Sequence, residues 1–314
     1  MYHYVRDTTA TPFPEIRALP PELFVQQLDW LQERYTLIDQ AALEDAVSGG
    51  APLPANAALL TFDDGLVDHY ETVFPLLRDR GLRGTFFVTQ EACGQAPRLL
   101  AVHKVHFLIA RLGPEVFGRA VLRACESAGL PRAAGREVLG RDHWDDADVR
   151  AIKHLVSHEL PFEVAERILE DLFTEHIGDS AVFARGLYLD PAMIRDMASA
   201  GMAFGHHTRT HRMLVRLTAD EQEGEVGGGV GWIRALTGQA TVSFCYPWGG
   251  PHTYTAETIR ILRDAGYSVA FNTVRRRMHA ADQRYELPRI DTRDLPPYTA
   301  SEPAPAPAFS AEEA

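Results

Sequence analysis

Along the chain, short fully apolar runs alternate with longer stretches in which apolar residues recur every three or four positions. A helical pattern at Leu76-Leu77-Arg78-Asp79-Arg80 ends in Gly81 and leads into the apolar run Gly84-Thr85-Phe86-Phe87-Val88. The same sequence of events returns at Ile194-Arg195-Asp196-Met197-Ala198-Ser199-Ala200, then Gly201, then Met202-Ala203-Phe204-Gly205. It returns again at Leu262-Arg263-Asp264-Ala265, then Gly266, then Tyr267-Ser268-Val269-Ala270-Phe271. In each copy the glycine stands where a helix end takes a left-handed residue. The runs that follow are too apolar for strands with one face in water, and they suit a parallel sheet covered by helices. Asp190 before Pro191 reads as a helix N-cap and first helical position, and Thr218 with Glu221 as a capping box. Repeated units of this kind predict an α/β fold built on a parallel sheet, open or closed into a barrel.

Two segments break the rhythm. From about residue 97 to 185 the pattern is mostly helical, with Val102, Val105, Phe107, Leu108, Ile168, Leu169 and Leu172 on apolar faces. This stretch reads as a helical insertion between barrel units. The last stretch, 299–314, sets Pro303, Pro305 and Pro307 among alanines and is too poor in hydrophobic residues to fold, so a disordered tail is expected. Gly227-Gly228-Gly229 is not a phosphate loop, because no Lys-Ser/Thr pair follows it. A formal net charge of -12 repels phosphate backbones and anionic membranes, which argues against nucleic acid as a partner. Cys93, Cys125 and Cys245 show no metal or disulfide spacing, the start of the chain has no signal-peptide pattern, and no apolar run is long enough for a membrane span. Free thiols in a cytoplasmic protein are the expectation.

Candidate chemistry sits where apolar runs end. Ala57-Ala58-Leu59-Leu60-Thr61-Phe62 reads as one buried strand that runs into Asp63-Asp64-Gly65. Two adjacent carboxylates repel each other, and a divalent cation would compensate them. The simpler alternative is an N-cap for the helix that follows. His207-Thr208-Arg209-Thr210-His211 puts two imidazoles four residues apart, the spacing of one helical face and of many metal ligands. His154 and His158 share that spacing but lie in the helical insertion, whereas His207 directly follows an apolar run, where α/β folds place reactive loops. A third run, Val242-Ser243-Phe244-Cys245, ends in the turn Tyr246-Pro247-Trp248-Gly249-Gly250, either a plain β-turn or a rigid groove wall with aromatic faces and an exposed backbone N–H.

Taken together, these segments make the sequence resemble the polysaccharide deacetylase (NodB homology) family of carbohydrate esterases. The family's first motif stands at Thr61-Phe62-Asp63-Asp64-Gly65, its second at His207 to His211, and its third as Phe244-Cys245-Tyr246-Pro247-Trp248-Gly249 in the F-x-Y-P-x-G form of one branch. The resemblance spans roughly residues 1–90 and 186–295, leaving out the insertion and the tail. It implies a distorted (β/α) barrel over residues 1–298, interrupted by the insertion, with a metal at its mouth. It implies that Asp64, His207 and His211 hold a divalent ion, Zn2+ or else Co2+ or Mn2+, that Asp63 is the general base, and that Tyr246 and Trp248 line the groove, with the Trp248 N–H on the oxyanion. A face of two histidines and one carboxylate with open positions suits a catalytic rather than a structural metal. The implied reaction is removal of an N-acetyl group from a carbohydrate. A hydrolase of small cyclic or linear amides and a non-catalytic sugar-binding barrel are the alternatives.

The chain also departs from the family pattern. The apolar run ending in a catalytic histidine near the C-terminus is missing, and Tyr2-His3 matches the branch instead, which makes His3 the candidate general acid. The arginine that usually tethers the base is replaced by Cys245. Arg289, in Leu287-Pro288-Arg289-Ile290, is the candidate substitute, expected to reach Asp63 with its planar fork.

Overall fold

The computed structural model describes residues 1–9, 11–127 and 153–299. The expected tail beyond residue 299 and the centre of the expected insertion, residues 128–152, lie outside the described residues. The chain divides into two compact units, one made of Met1–Arg6, Leu19–Ala96 and the chain from Tyr188 onward, the other of Asp7–Ala18 and Pro97–Leu187.

The first unit holds the sheet. β1 (Thr36–Ile38) and β2 (Ala57–Leu59) form a parallel pair. β3 (Thr61–Phe62), β4 (Thr85–Val88), β5 (Ala203–His206), β6 (Phe244–Cys245) and β7 (Ala270–Phe271) form a five-stranded sheet in that order, parallel throughout. Both edges are extended by single parallel bridges, Tyr2 beside Phe62 and Leu287 beside Phe271. The two extensions then meet, because the Met1 amino nitrogen donates to the Ile290 carbonyl at 2.6 Å and the Thr292 N–H donates to the Met1 carbonyl at 3.2 Å. With hydrogen-bonded neighbours on both sides of each segment, the sheet curls into a distorted (β/α) barrel and its open edges disappear. The apolar run expected as one strand over residues 57–62 is in fact divided at Leu60, since Ala57–Leu59 pairs with β1 while Thr61–Phe62 turns to join β4.

Alternation along the strands sorts the core into two layers. On one face Tyr2, Phe62, Phe86 and Phe204 stand in a row, with successive ring centroids 5.3, 4.7 and 5.7 Å apart. On the other, Phe87, Cys245, Phe271 and Leu287 pack with Leu43 and Val269. The helix Pro191–Ser199 is capped by Asp190, which accepts from the Ala192 and Met193 N–H groups, and Ala219–Val226 begins with the capping box of Thr218 and Glu221. The second unit is helical. Phe13, Phe107, Phe173 and Phe183 form its aromatic centre, with Phe107 and Phe183 4.7 Å apart. Asp7–Ala18 thus belongs to it, a participation that the sequence pattern did not suggest. Lys104, 3% exposed, is held there by Glu166 at 3.2 Å and Glu170 at 2.9 Å. No helix among the described residues is long and apolar enough to cross a membrane.

One close approach sets the distance between β5 and the helix Gly229–Thr237. A Cβ at Gly229 would lie 2.0 Å from His206 Nδ1 and 2.2 Å from the Tyr267 hydroxyl, whereas one at Gly231 would meet nothing within 4 Å. Gly229→Ala is therefore expected to destabilise the protein by about 1–3 kcal/mol through overpacking. Gly231→Ala, in the interior of the same helix, should be neutral or stabilising by up to about 1 kcal/mol. Urea denaturation of both variants checks the pair, and equal midpoints would refute the close approach.

Candidate active site

Parallel strands deliver their C-terminal ends to one side of a sheet, and the residues singled out in the sequence leave from those ends. Asp63 and Asp64 follow β3, His207 follows β5, and the turn of Tyr246 to Gly249 follows β6. Adjacent residues of an extended chain point to opposite faces, so two neighbouring carboxylates do not ordinarily serve one centre. Asp64 breaks the alternation by adopting φ +75°. Thr208, His211 and Trp248 also lie in the left-handed region, at φ +63°, +64° and +67°. These four, all in the three motifs, are the non-glycine residues with positive φ among the described residues. Such conformations cost about 1–3 kcal/mol each and persist where the surroundings over-determine them. Gly65 is required for the same turn, at φ +65° and with space for a Cβ only 2.4 Å from Cys93 Sγ and 3.0 Å from Val88 Cγ1.

The two histidines are not on a helical face. His207 to His211 is a loop, and its left-handed residues, rather than helical periodicity, bring the two rings to centroids 4.8 Å apart. The loop is fixed along its length. Its His207 N–H donates to Val88, while the His207, Thr208 and Arg209 carbonyls accept from Thr89 Oγ1, Gln90 N–H and Glu91 N–H at 3.1, 3.1 and 2.9 Å. On the other side the Arg209 N–H donates to the Glu225 carbonyl at 2.9 Å, and the His211 N–H donates to Thr208 Oγ1 at 2.9 Å.

Asp64 faces both imidazoles, with Oδ1 3.4 Å from His207 Nε2 and 3.4 Å from His211 Nε2. His207 Nδ1–H donates to the Cys245 carbonyl at 2.7 Å, which orients the ring so that Nε2 faces Asp64. Burial pulls the His207 ring down, but Cys245, Asp64 and Asp63 around it outweigh that and hold it well above the ordinary imidazole range. A carboxylate oxygen and two imidazole nitrogens lying within 4.8 Å of one another are a donor set that fits a divalent cation.

Asp63 belongs to a different set of partners. Arg289 Nη1 and Nη2 donate to its Oδ1 and Oδ2, each at 2.7 Å, in a bidentate fork. The guanidinium is itself held by the Asn272 carbonyl at 3.1 Å and Thr61 Oγ1 at 3.3 Å, and its Nη2 lies 3.0 Å from Cys245 Sγ. Both residues are buried, at 2% and 6% exposure. Burial works to raise the Asp63 carboxyl, but Arg289 holds it well below the usual carboxylate range. Burial pushes the Cys245 thiol up, so it stands beside the pair as a neutral donor, 3.6 Å from Asp63 Oδ2.

His3 reaches the rim of this arrangement, half-exposed, with Nε2 3.8 Å from Asp63 Oδ2. Its backbone carbonyl accepts from His69 Nε2 at 3.0 Å, a buried support that sequence reasoning missed. Trp248 sits beside His211, with ring centroids 6.1 Å apart, and its carbonyl accepts from Thr273 Oγ1. Tyr246, expected in the groove, is placed in the core instead. Its ring stacks on Tyr254 at 3.9 Å, its hydroxyl donates to the Tyr285 carbonyl at 2.8 Å, and its N–H donates to Phe271, so ring, hydroxyl and amide are all engaged away from the mouth.

Fold and geometry thus define an α/β barrel with a carboxylate–imidazole centre at the C-terminal ends of its strands. A family profile described as polysaccharide deacetylase matches residues 50–116 and 157–270, and the chain belongs to that family. The match runs further into the helical segment than the motifs alone indicated, to residue 116 and again from 157. Over 79 residues, 24% of this chain, the sequence is 38% identical to the poly-β-1,6-N-acetyl-D-glucosamine N-deacetylase of Escherichia coli K12, and the matched stretch spans 11% of that protein's length. Two solved structures share the fold. A Streptococcus pyogenes deacetylase, PplD, aligns over 92% of this chain and 89% of its own, with TM-score 0.55 and 19% identity. IcaB from Ammonifex degensii aligns over 92% of this chain and 88% of its own, with TM-score 0.52 and 19% identity.

Removing the guanidinium leaves a buried carboxylate alone. Arg289→Ala is expected to lower stability by about 3–5 kcal/mol. The double variant with Asp63→Ala should recover part of that loss, because neither charge is then stranded. A double-mutant cycle in urea checks this, and strictly additive losses would show that the two side chains do not act as a pair.

Proposed function

We propose that the protein is a metal-dependent hydrolase that removes the acetyl group from N-acetylated amino sugars in a glycan. The observation that carries this reading is the division of labour between adjacent carboxylates, with Asp63 forked onto Arg289 and Asp64 turned towards His207 and His211. A purely structural pair of aspartates has no need of two such different sets of partners, and a sugar-binding barrel has no use for an ionised base beside a cation site.

In this reading Asp64, His207 and His211 hold the divalent ion, Zn2+ or a similar cation, which when bound polarises an amide carbonyl and acidifies water. Asp63 stays ionised under the hold of Arg289 and accepts the proton of the water that attacks the acetyl carbon. Arg289 fixes the orientation of that carboxylate by donating to both of its oxygens. His3, at the rim, delivers a proton to the departing amine. The Trp248 turn, held left-handed and tied to Thr273, presents backbone to the mouth where the oxyanion forms. Tyr246 supports that turn from below through its stack on Tyr254. Among N-acetylated glycans, β-1,6-linked N-acetylglucosamine is the first to test, because of the 79-residue likeness to a deacetylase of that polymer.

Release of free amine from N-acetylglucosamine oligomers, with Zn2+, Co2+ or Mn2+ supplied or chelated, decides the reading. Turnover of small imides with none of the oligomers would move the protein to another substrate class. Elemental analysis should find the metal lost in Asp64→Ala, His207→Ala and His211→Ala but kept in His154→Ala. Asp63→Asn is expected to keep the metal and lose about 10²–10⁴ in rate, since an amide cannot take the water's proton. Loss of metal from Asp63→Asn together with retention in Asp64→Asn would exchange the two roles.

A further inference from the structure

The proposed chemistry leaves one buried carboxylate beside the centre without a task. Glu225 is 6% exposed and lies on the inward face of the helix Ala219–Val226, with Gln222 and Val226. One carboxylate oxygen accepts from the Thr210 N–H at 2.8 Å, and the other accepts from the Thr210 hydroxyl. The Glu225 backbone carbonyl accepts from the Arg209 N–H at 2.9 Å. Three donors of a single two-residue step, Arg209-Thr210, therefore end on this one residue.

That step lies between two residues in the left-handed region, Thr208 at φ +63° and His211 at φ +64°. Thr208 is β-branched, which makes its conformation especially unfavourable when unsupported. The carbonyls of the loop are taken up by Thr89, Gln90 and Glu91, so that side fixes where the loop starts. Glu225 fixes where it turns back. Without it the step could rotate towards ordinary backbone angles, carrying the His211 ring away from Asp64 Oδ1, from which it now stands 3.4 Å.

We infer that Glu225 is a positioning residue, a buttress that holds His211 in ligand geometry through Thr210 and thereby sets the affinity of the centre for its cation. The inference rests on the metal-site reading given above. Hydrogen bonding to the loop, rather than negative charge, is what the geometry requires. Glutamine at the same place can offer its amide oxygen to the Thr210 N–H and its NH2 to the Thr210 hydroxyl oxygen, which accepts as readily as it donates.

The test is equilibrium binding of Zn2+ to the full chain by competition with a chromogenic chelator, with folding checked by circular dichroism. Glu225→Ala is expected to weaken Zn2+ binding by about 10–100-fold, the usual effect of removing a support of a metal ligand. Glu225→Gln should restore affinity close to that of the unaltered chain. Glu221→Ala, which breaks the capping box of the same helix, should lower the melting temperature while leaving affinity unchanged, and so separates positioning from general stability. Should Glu225→Ala fail to fold, Thr210→Val removes the hydroxyl from the loop side and is expected to weaken binding in the same direction by a smaller factor. Unaltered affinity in Glu225→Ala and Thr210→Val, an equal loss in Glu221→Ala, or an equal loss in Glu225→Gln would overturn the inference. Absence of Zn2+ binding by the unaltered chain would instead remove the metal-site reading and the inference with it, whereas binding abolished by Asp64→Ala but indifferent to Glu225 removes the inference alone.

Discussion

The arrangement depends on a buried ion pair, Arg289 with Asp63. Taking either charge out of water alone costs several kcal/mol, and the geometry here recovers that cost with two parallel 2.7 Å hydrogen bonds plus carbonyl and hydroxyl acceptors for the remaining donors. Because the guanidinium spends its charge on Asp63, the neighbouring Asp64 is left to face the two imidazoles. One cation of the protein thus separates two carboxylates that share a peptide bond and would otherwise compete. It also joins the strand that opens the first motif to the segment that closes the barrel, so the chemistry and the seam share a support.

Around that pair the protein accepts local backbone strain in return for convergence. Strand periodicity sends successive side chains to opposite faces, and helical periodicity would put a pair of histidines on one cylinder; neither pattern brings Asp64, His207 and His211 to one point. Left-handed residues in the loops do, at Asp64, Thr208 and His211. The stabilisation comes from outside the loops, from the sheet hydrogen bonds of β4 and β5 and from the fully apolar layers on either side.

Much of this was legible in the sequence because it followed from local patterns. Gly81, Gly201 and Gly266 all adopt positive φ, and each precedes a strand of the parallel sheet. Asp63 and Arg289 could be paired from the sequence because the family resemblance implies an arginine tethered to Asp63, and Cys245, which stands in its usual place, is too short to serve. What was not legible arose from non-local contacts. Leu60 divides an apolar run that carries no turn signal, because its two halves join different partners. Tyr246 reads as a groove aromatic by its neighbours Pro247 and Trp248, yet the approach of Tyr254 and Tyr285 draws it inward. Glu225 left a faint trace, a carboxylate falling on the same helical face as Gln222 and Val226, but nothing local says that Thr210 is what it meets. The spacing of His207 and His211 suggested that their rings lie together, and they do, but through a loop with left-handed residues rather than through a helical face.

The closure of the barrel through Leu287, Ile290 and Met1 also imposes a timetable on a chain emerging from the ribosome. Asp63 and its partner Arg289 are 226 residues apart. At about 5–20 residues per second, some 10–45 s separate the appearance of the one from the other. During that interval the strands from β3 onward can form, at best, an unclosed sheet that is covered by Tyr2 on one side and bare on the other, with a carboxylate that has no counter-charge. Contacts of such long sequence separation are the slow ones to form. In the finished fold both edges of the five-stranded sheet are covered, by Tyr2 and Leu287, but in the nascent chain the second is not, and it is in that window that chaperone binding or mispairing with another chain would act.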